Sequence, residues 1–222
     1  MIRLHHVPQT RSMRCLWLLH ELGLDFEVID YPFDKTLRQE PYASLNPTGR
    51  VPTLELDGQV IRESGAINEV LCETFSPEGL GRPAGHPERA AWLDWVHFAE
   101  TISQHCAALT QQHVALREDH MRSPIVMKLE AARLAKTLRT VESGLAGEYL
   151  LASGFSAADV GVGQAVYMAR HFVRLDELPK VAGWMARLEA REAYRASLPA
   201  GPGLYAQAFY VPWPVEGRDG GH

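Results

Sequence analysis

The sequence predicts an α/β unit followed by an all-α unit. Strand-like and helix-like patterns alternate within residues 1–76, whereas residues 88–222 show helical periodicity that ends in an irregular tail. Proline and glycine collect in residues 77–87, which indicates a linker. The chain has 222 residues, 46% hydrophobic and 22% charged, a composition typical of a folded protein that buries a sizeable core. We therefore expect two domains.

The α/β unit is predicted to contain one sheet with covering helices. Its segments are a strand over 2–7, a helix that ends at Gly23, a strand over 25–31, a weakly helical connector, two strands joined by Asp57-Gly58, and a helix over 63–75. Pro8 ends the first strand, and Asp-Gly is a dipeptide that favours a tight hairpin turn. This order predicts a parallel β-α-β unit joined to an antiparallel hairpin.

Four long amphipathic segments predict the helices of the second unit. They span residues 87–109, 123–145, 155–172 and 178–198, with glycine and proline closing the last one near 199–203. Ser156 and Asp159 have the spacing of a capping box, which predicts a folding device and not a site. Trp92, Trp95 and Phe98 recur at three-residue spacing, which is typical of helix packing but would also suit the wall of an apolar pocket or dimer cleft.

The C-terminal tail carries Tyr205, Phe209, Tyr210 and Trp213. Its first half is too apolar to remain free of the fold, because exposed aromatic side chains lose the benefit of burial. We predict no regular secondary structure for it.

Charge and composition exclude several classes of function. The net charge is −5, and lysine and arginine do not cluster, which argues against binding to nucleic acid or to an anionic membrane. The N-terminus lacks the features of a signal peptide, and no apolar run approaches the ~18 residues of a membrane span, so we expect a cytoplasmic protein. Three separated cysteines without C-x-x-C, and ten histidines without metal-ligand spacing, predict no disulfide and no metal site.

Four motifs, in order along the chain, resemble cytosolic glutathione S-transferases. They are "NPTGRVPTLELDG", "ESGAI", "FSAADV" and "WMARLEAREAYRASL", and the resemblance extends over about residues 1–199. It implies an α/β thioredoxin-like N-terminal domain that binds glutathione over residues 1–76. It also implies an all-α C-terminal domain that shapes the second-substrate pocket, and a homodimer.

The resemblance implies a set of glutathione-binding residues. Pro52 would be a cis proline, and the backbone of Val51 would pair with the cysteinyl part of glutathione like an added strand. Ser64 and the helix N-terminus would hold the γ-glutamyl carboxylate, and Glu63 its ammonium. Arg50 would meet the glycyl carboxylate or support the turn. The structural alternatives are a strand-initiating proline, a helix N-cap at Ser64 and a solvated charge at Arg50.

The start of the first helix offers groups that stabilise a thiolate. A helix N-terminus, a hydroxyl and nearby cations each favour the charged form of a thiol, and Thr10, Arg11, Ser12 and Arg14 supply them. The resemblance implies that Ser12 or Thr10 donates to the sulfur of glutathione, with backbone N–H groups as the alternative. Cys15 lies one turn into the helix, too deep to react. Simple N-capping by a hydroxyl, and salt bridges from the arginines, are the structural alternatives.

Three functions are compatible with these residues. The first is transfer of glutathione to an electrophilic, apolar small molecule, as in detoxification. The second is glutathione-dependent thiol-disulfide exchange or peroxide reduction at the same site. The third is a non-catalytic binding module, against which the intact Val51-Pro52 and Glu63-Ser64 pairs argue.

Overall fold

A mixed four-stranded sheet forms the N-terminal part of the fold, in the strand order β2-β1-β3-β4. The computed structural model describes residues 1–201, 203–205 and 207–210. The strands are β1 (Ile2–His6), β2 (Glu27–Asp30), β3 (Thr53–Leu56) and β4 (Gln59–Ile61). β1 pairs parallel with β2 and antiparallel with β3, and β3 pairs antiparallel with β4. The predicted β-α-β unit and hairpin are therefore confirmed.

The hairpin turn and the end of the first helix follow from local backbone chemistry. Asp57 and Gly58 have φ values of 47° and 85°, the left-handed pair that a two-residue hairpin turn requires. Gly23, with φ 63°, follows the first helix, where a left-handed residue ends the hydrogen-bonded turns. The second strand is shorter than the predicted 25–31.

Three α-helices accompany the sheet: α1 (Ser12–Glu21), α2 (Tyr42–Leu45) and α3 (Ser64–Phe75). All residues of α1 from Ser12 to Leu19 are buried. Such a helix must be covered on every side, and α1 contacts β1 and α3 as well as helices of the C-terminal part. Both parts of the chain therefore meet on α1.

Among the described residues, the α-helices of the C-terminal part are α4 (Arg89–Thr110), α5 (Pro124–Gly144), α6 (Ala157–Ala169), α7 (Pro179–Glu189) and α8 (Glu192–Ala196). The single helix predicted over 178–198 is wrong, because the chain leaves the helical conformation at Arg191, with ψ 137°. There the Arg191 guanidinium binds Glu21 at 2.6 and 2.7 Å and covers the ring of Phe155. These tertiary contacts outweigh the helical periodicity of the segment.

Helix α6 lies at the centre of the C-terminal part, with all its residues buried. It begins with the capping box of Ser156 and Asp159: the Ser156 hydroxyl accepts from Ala158 N at 3.3 Å, and the Asp159 carboxylate accepts from Ser156 N at 2.9 Å. Asp159 also accepts from Leu150 N and the Trp184 indole. Burial raises the pKa of Asp159, while these donors lower it.

The aromatic stripe on α4 packs between helices. Trp92 is fully buried, and its indole donates to the Leu80 carbonyl at 3.1 Å. Trp95 lies against Gly144 of α5, where an added Cβ would come within 2.5 Å of its ring, and it meets Phe98 edge-on at 5.4 Å. This packing accounts for the three-residue spacing.

The tail also packs against the helices, as its aromatic content predicts. Tyr205 is 8% exposed, and its ring stacks on His171 at 4.6 Å. Trp213 and the last part of the tail lie outside the described residues. Within the described residues, no helix is long and apolar enough to cross a membrane.

Candidate functional site

The sheet topology brings three loops to one edge. His5 at the end of β1 lies opposite Thr53 at the start of β3, because these strands are antiparallel. Ile61 at the end of β4 lies opposite Leu54, so β4 leaves the sheet at the same edge. The loop before α1, the peptide before β3 and the start of α3 therefore converge there.

The Val51–Pro52 peptide is cis, the conformation that the resemblance implies. Pro52 is buried, Val51 is partly exposed, and the Arg50 side chain is exposed. The Arg50 carbonyl accepts hydrogen bonds from the Tyr42 hydroxyl at 2.5 Å and from the Asn46 amide at 2.9 Å. Both groups thereby hold the backbone beside the cis peptide.

Tyr42 and Asn46 also bind the Thr53 hydroxyl, at 2.8 and 3.0 Å, and both side chains are buried. Sequence reasoning missed these two residues. Asn46 belongs to the "NPTGRVP" motif, where Asn-Pro indicated only a turn, and Tyr42 lies in a connector with a weak pattern. Their role depends on contacts across the loop.

The start of α3 differs from the structural alternative considered for Ser64. Glu63 is the N-cap residue, with an exposed side chain that makes no cap hydrogen bond. Ser64 is the first helical residue and is 4% exposed, and its hydroxyl accepts from Arg14 Nη1 at 3.3 Å. The reading of Ser64 as a simple N-cap is therefore wrong.

The hydroxyls of Thr10, which precedes α1, and of Ser12, its first residue, lie at different depths below the surface. The Ser12 hydroxyl is fully buried and lies 2.9 Å from that of Thr10, which is partly exposed. Ser12 Oγ also lies 2.8 Å from His6 Nδ1 and 3.2 Å from both the N–H and the carbonyl of Val7. The N-cap residue of α1 is Arg11, with no side-chain cap bond, so neither hydroxyl occupies the N-cap position.

The surroundings of Ser12 direct its proton inward. Burial lowers the pKa of His6 to about 4, so its ring is neutral at pH 7. The Ser12 proton then has an internal acceptor in either tautomer, namely His6 Nδ1 or the Val7 carbonyl. The Thr10 hydroxyl also has an internal acceptor, since it donates to the Val7 carbonyl at 2.8 Å, but it is the hydroxyl nearer to solvent.

Arg14 ties the site to the helical part. Its guanidinium is 1% exposed and donates to Ser64, Glu100, Ser103 and Gln164 at 2.5–3.3 Å. Burial lowers the pKa of Arg14, and Glu100 opposes that effect. The other Glu100 oxygen pairs with Arg11 at 3.0 Å.

One carboxylate thus faces two guanidiniums, which leaves a net positive charge beside the N-terminus of α1. The salt bridges that are the structural alternative for Arg11 and Arg14 are present, and the site keeps a net positive charge despite them. Glu100 and Gln164 were missed by sequence reasoning, because each lies on a helix distant in the chain and no local pattern indicates its contact with Arg14.

The cysteines supply no reactive thiol to this arrangement, although Cys15 Sγ donates to the Ser64 carbonyl at 3.9 Å. Cys15, Cys72 and Cys106 are all free and buried, and burial raises the pKa of each thiol to about 12. A protonated, inaccessible thiol does not react, so the expectation that Cys15 is too deep agrees with its surroundings. Among the described residues, no group of three or more histidine, cysteine or acidic side chains could hold a metal ion.

A cleft with a volume of about 630 Å³ lies at the opposite end of α1, between that end and α7–α8. It is lined by His20, Glu21, Arg187 and Arg191, among others. Glu21 and Arg191 neutralise each other at 2.6 Å, and the cleft is far from the converging loops. The residues that line this cleft therefore do not resemble those of the candidate site.

Comparison with known proteins identifies the family. The pattern of "Glutathione S-transferase, N-terminal domain" matches residues 1–72. The "Glutathione S-transferase-like protein OpS6" of Beauveria bassiana is 30% identical over 191 residues, which cover 80% of this chain and 85% of that protein. The chain belongs to the cytosolic glutathione S-transferase family. Glutathione S-transferase 3 of Schizosaccharomyces pombe is 26% identical, over 88% of this chain and 86% of that transferase.

Solved glutathione transferases share the fold. One from Methylococcus capsulatus is 26% identical, with a TM-score of 0.75, over 89% of this chain and 97% of that chain. A glutathione transferase homolog from Lodderomyces elongisporus, solved with two GSH per subunit, is 22% identical, with a TM-score of 0.79, over 88% and 96% of the two chains. The α/β thioredoxin-like N-terminal part and the all-α C-terminal part are therefore the architecture of this family.

Proposed function

We propose that this protein is a glutathione S-transferase that ionises the thiol of bound glutathione for attack on an electrophilic, apolar small molecule. The observation that carries the proposal is the convergence, at one edge of the sheet, of Thr10, the backbone of Val51 and the start of α3 at Ser64. These are a hydroxyl at a helix N-terminus, the backbone of the residue before a cis proline that precedes β3, and a second helix N-terminus. Together they match the thiol, cysteinyl backbone and γ-glutamyl carboxylate of one tripeptide.

Each binding contact follows from ordinary chemistry. A carboxylate at Ser64 meets the positive end of α3, and the exposed Glu63 side chain beside it suits an ammonium. The backbone of Val51 offers the hydrogen bonds of an added strand, and exposed Arg50 suits the glycyl carboxylate. The structures from Lodderomyces elongisporus and from a sphingomonad, both solved with glutathione, support the same ligand.

The reaction uses the thiolate as nucleophile. The N-terminus of α1, the Thr10 hydroxyl and the charge of Arg11 and Arg14 lower the thiol pKa, and the thiol proton passes to solvent. With a chlorinated nitroaromatic, sulfur attacks the ring carbon that bears chlorine, the C–S bond forms, and chloride leaves with the electrons of the C–Cl bond. No metal takes part in this scheme. Family resemblance adds that the protein works as a homodimer.

Binding and chemistry are tested separately. We expect the folded protein to be retained on immobilised glutathione and eluted by free glutathione, and loss of retention would remove both the transferase and the reductase function. The Val51→Pro variant removes the backbone N–H offered to the ligand and should abolish retention, whereas the exposed Gln59→Ala variant should not.

Conjugation of the nitroaromatic is then compared with reduction of a mixed disulfide of glutathione. Faster disulfide reduction would replace conjugation as the function, and retention without either activity would indicate a binding module.

A further inference from the structure

Gln9 has an unusual backbone and a buried side chain. It lies between β1 and α1, directly before Thr10, with φ 56° and only 6% exposure. Left-handed φ is uncommon for a residue other than glycine, asparagine or aspartate, and it persists where surrounding contacts hold it. The buried side chain of Gln9 supplies such contacts.

The Gln9 amide joins two distant parts of the chain. Its nitrogen donates to the Tyr167 hydroxyl of α6 at 2.7 Å, and its oxygen accepts from Tyr205 N at 3.2 Å. The Gln164 amide of α6 also donates to the Thr10 carbonyl, at 3.1 Å. The loop that presents the Thr10 hydroxyl is thus held from the C-terminal part of the fold.

The C-terminal segment, residues 203–205 and 207–210, makes further contacts with the helices in addition to its bond with Gln9. The Tyr205 hydroxyl lies 2.7 Å from that of Thr110, and the backbone N–H of Phe209 donates to the His171 carbonyl at 2.6 Å. The Tyr210 hydroxyl donates to the Arg170 carbonyl at 3.1 Å. These contacts position the Tyr205 N–H that donates to the Gln9 side chain.

Gly203 makes this contact possible. A Cβ added there would lie 2.1 Å from Gln9 Oε1 and 2.5 Å from its Cδ, whereas a Cβ added at Gly201 would meet nothing within 4 Å. A methyl group at residue 203 is therefore incompatible with the present position of the Gln9 amide, which is the end of a flexible side chain and so the group that can shift at the lowest cost. The tail can accordingly be used to displace Gln9 without altering residue 9.

We propose that Gln9 is a positioning residue, whose amide couples the C-terminal segment and Tyr167 to the loop that presents Thr10 to the thiol. The inference rests on the proposed function, since Thr10 matters only if glutathione binds. It implies that the ionisation of the bound thiol depends on a tail residue that does not belong to the thioredoxin-like part. The coupling acts through position, and Gln9 itself touches no substrate.

The test compares Gln9→Ala, Gly203→Ala and the double variant, with Gln207→Ala and Gly201→Ala as matched controls on exposed residues. The readouts are the pKa of the bound thiol, from the pH dependence of kcat/KM, and KM for glutathione. Both single variants should raise the thiol pKa and lower kcat/KM near neutral pH about fivefold to tenfold, with KM for glutathione nearly unchanged. In the Gln9→Ala background, Gly203→Ala should have little further effect, because the displaced side chain is absent. The controls should resemble wild type.

An unchanged thiol pKa in Gly203→Ala, or additive effects in the double variant, would overturn the proposal. If Gln9→Ala does not fold, Gly203→Ala alone decides it. The contact between Gln9 and the C-terminal segment is also measured without glutathione, by the rate of chymotryptic cleavage at Tyr205 and Phe209. Both single variants should increase this rate. If wild-type protein fails to bind glutathione while both single variants are cleaved faster than wild type, the proposed function is refuted and the contact between Gln9 and the C-terminal segment stands. Unchanged cleavage in the variants would refute that contact itself.

Discussion

Removal of the Thr10 hydroxyl is the sharpest test of how the thiol is ionised. Thr10 is the partly exposed member of the hydroxyl pair, and Ser12 lies fully buried behind it. A hydrogen bond to a charged group contributes about 1.5–3 kcal/mol, and one pKa unit corresponds to about 1.4 kcal/mol. Thr10→Ala should therefore raise the pKa of the bound thiol by about one to two units.

The assay is the pH dependence of kcat/KM for conjugation, which reports the ionisation of the thiol. Below the wild-type pKa, a rise of one to two units lowers the thiolate fraction by about tenfold to a hundredfold. Thr10→Ser is the matched control, because it keeps the hydroxyl, and it should retain the wild-type profile. KM for glutathione should change little in either variant.

Ser12→Ala should behave differently. It leaves the buried Val7 N–H without its acceptor at 3.2 Å, which should cost about 1–3 kcal/mol of unfolding free energy. The thiol pKa should rise by less than half a unit, by roughly 0.7 kcal/mol or less. A large rise in the thiol pKa for Ser12→Ala, with none for Thr10→Ala, would refute this reasoning and assign the donor to the buried hydroxyl. No rise for either would assign it to backbone N–H groups.

Three further predictions concern stability, and each is measured by urea unfolding. Glu100→Gln removes the carboxylate that faces buried Arg14, so the unfolding free energy should fall by roughly 1–3 kcal/mol. The control is the exposed Glu118→Gln, which should leave the unfolding free energy unchanged. Equal values for the two variants would contradict the role assigned to the Glu100–Arg14 pair. Ser156→Ala removes the cap of α6 and should lower the unfolding free energy by about 1 kcal/mol, with the exposed Ser143→Ala as control; no loss would show that the cap is dispensable. Burial lowers the pKa of His6 from 6.5 to about 4, so the unfolded chain binds the proton more readily and stability should fall as the pH drops from 6.5 towards 4. This contribution is about 2 kcal/mol between pH 7 and pH 5, and His6→Asn should remove it; an unchanged pH dependence in that variant would refute the assignment to His6.

Local patterns were sufficient for the elements and for the residues that belong to short motifs. The hairpin follows from Asp57 and Gly58, whose left-handed backbone is what a two-residue turn between adjacent strands requires. The capping box of Ser156 and Asp159 likewise closes within one helical turn. The last helix was the exception, since its break at Arg191 depends on Glu21, far away in the chain.

The sequence by itself determined the family and the order of strands and helices up to the last predicted helix, and it predicted the motif residues from Thr10 to Ser64 as the site. Only the tertiary structure decided which hydroxyl lies nearer to solvent, and that Arg14 is bound by Glu100 and Gln164. It also placed Gln9 against Tyr205, 196 positions further along the chain. The physical reason is that capping and turns act between neighbouring residues, whereas burial and long-range hydrogen bonds arise only when the chain packs.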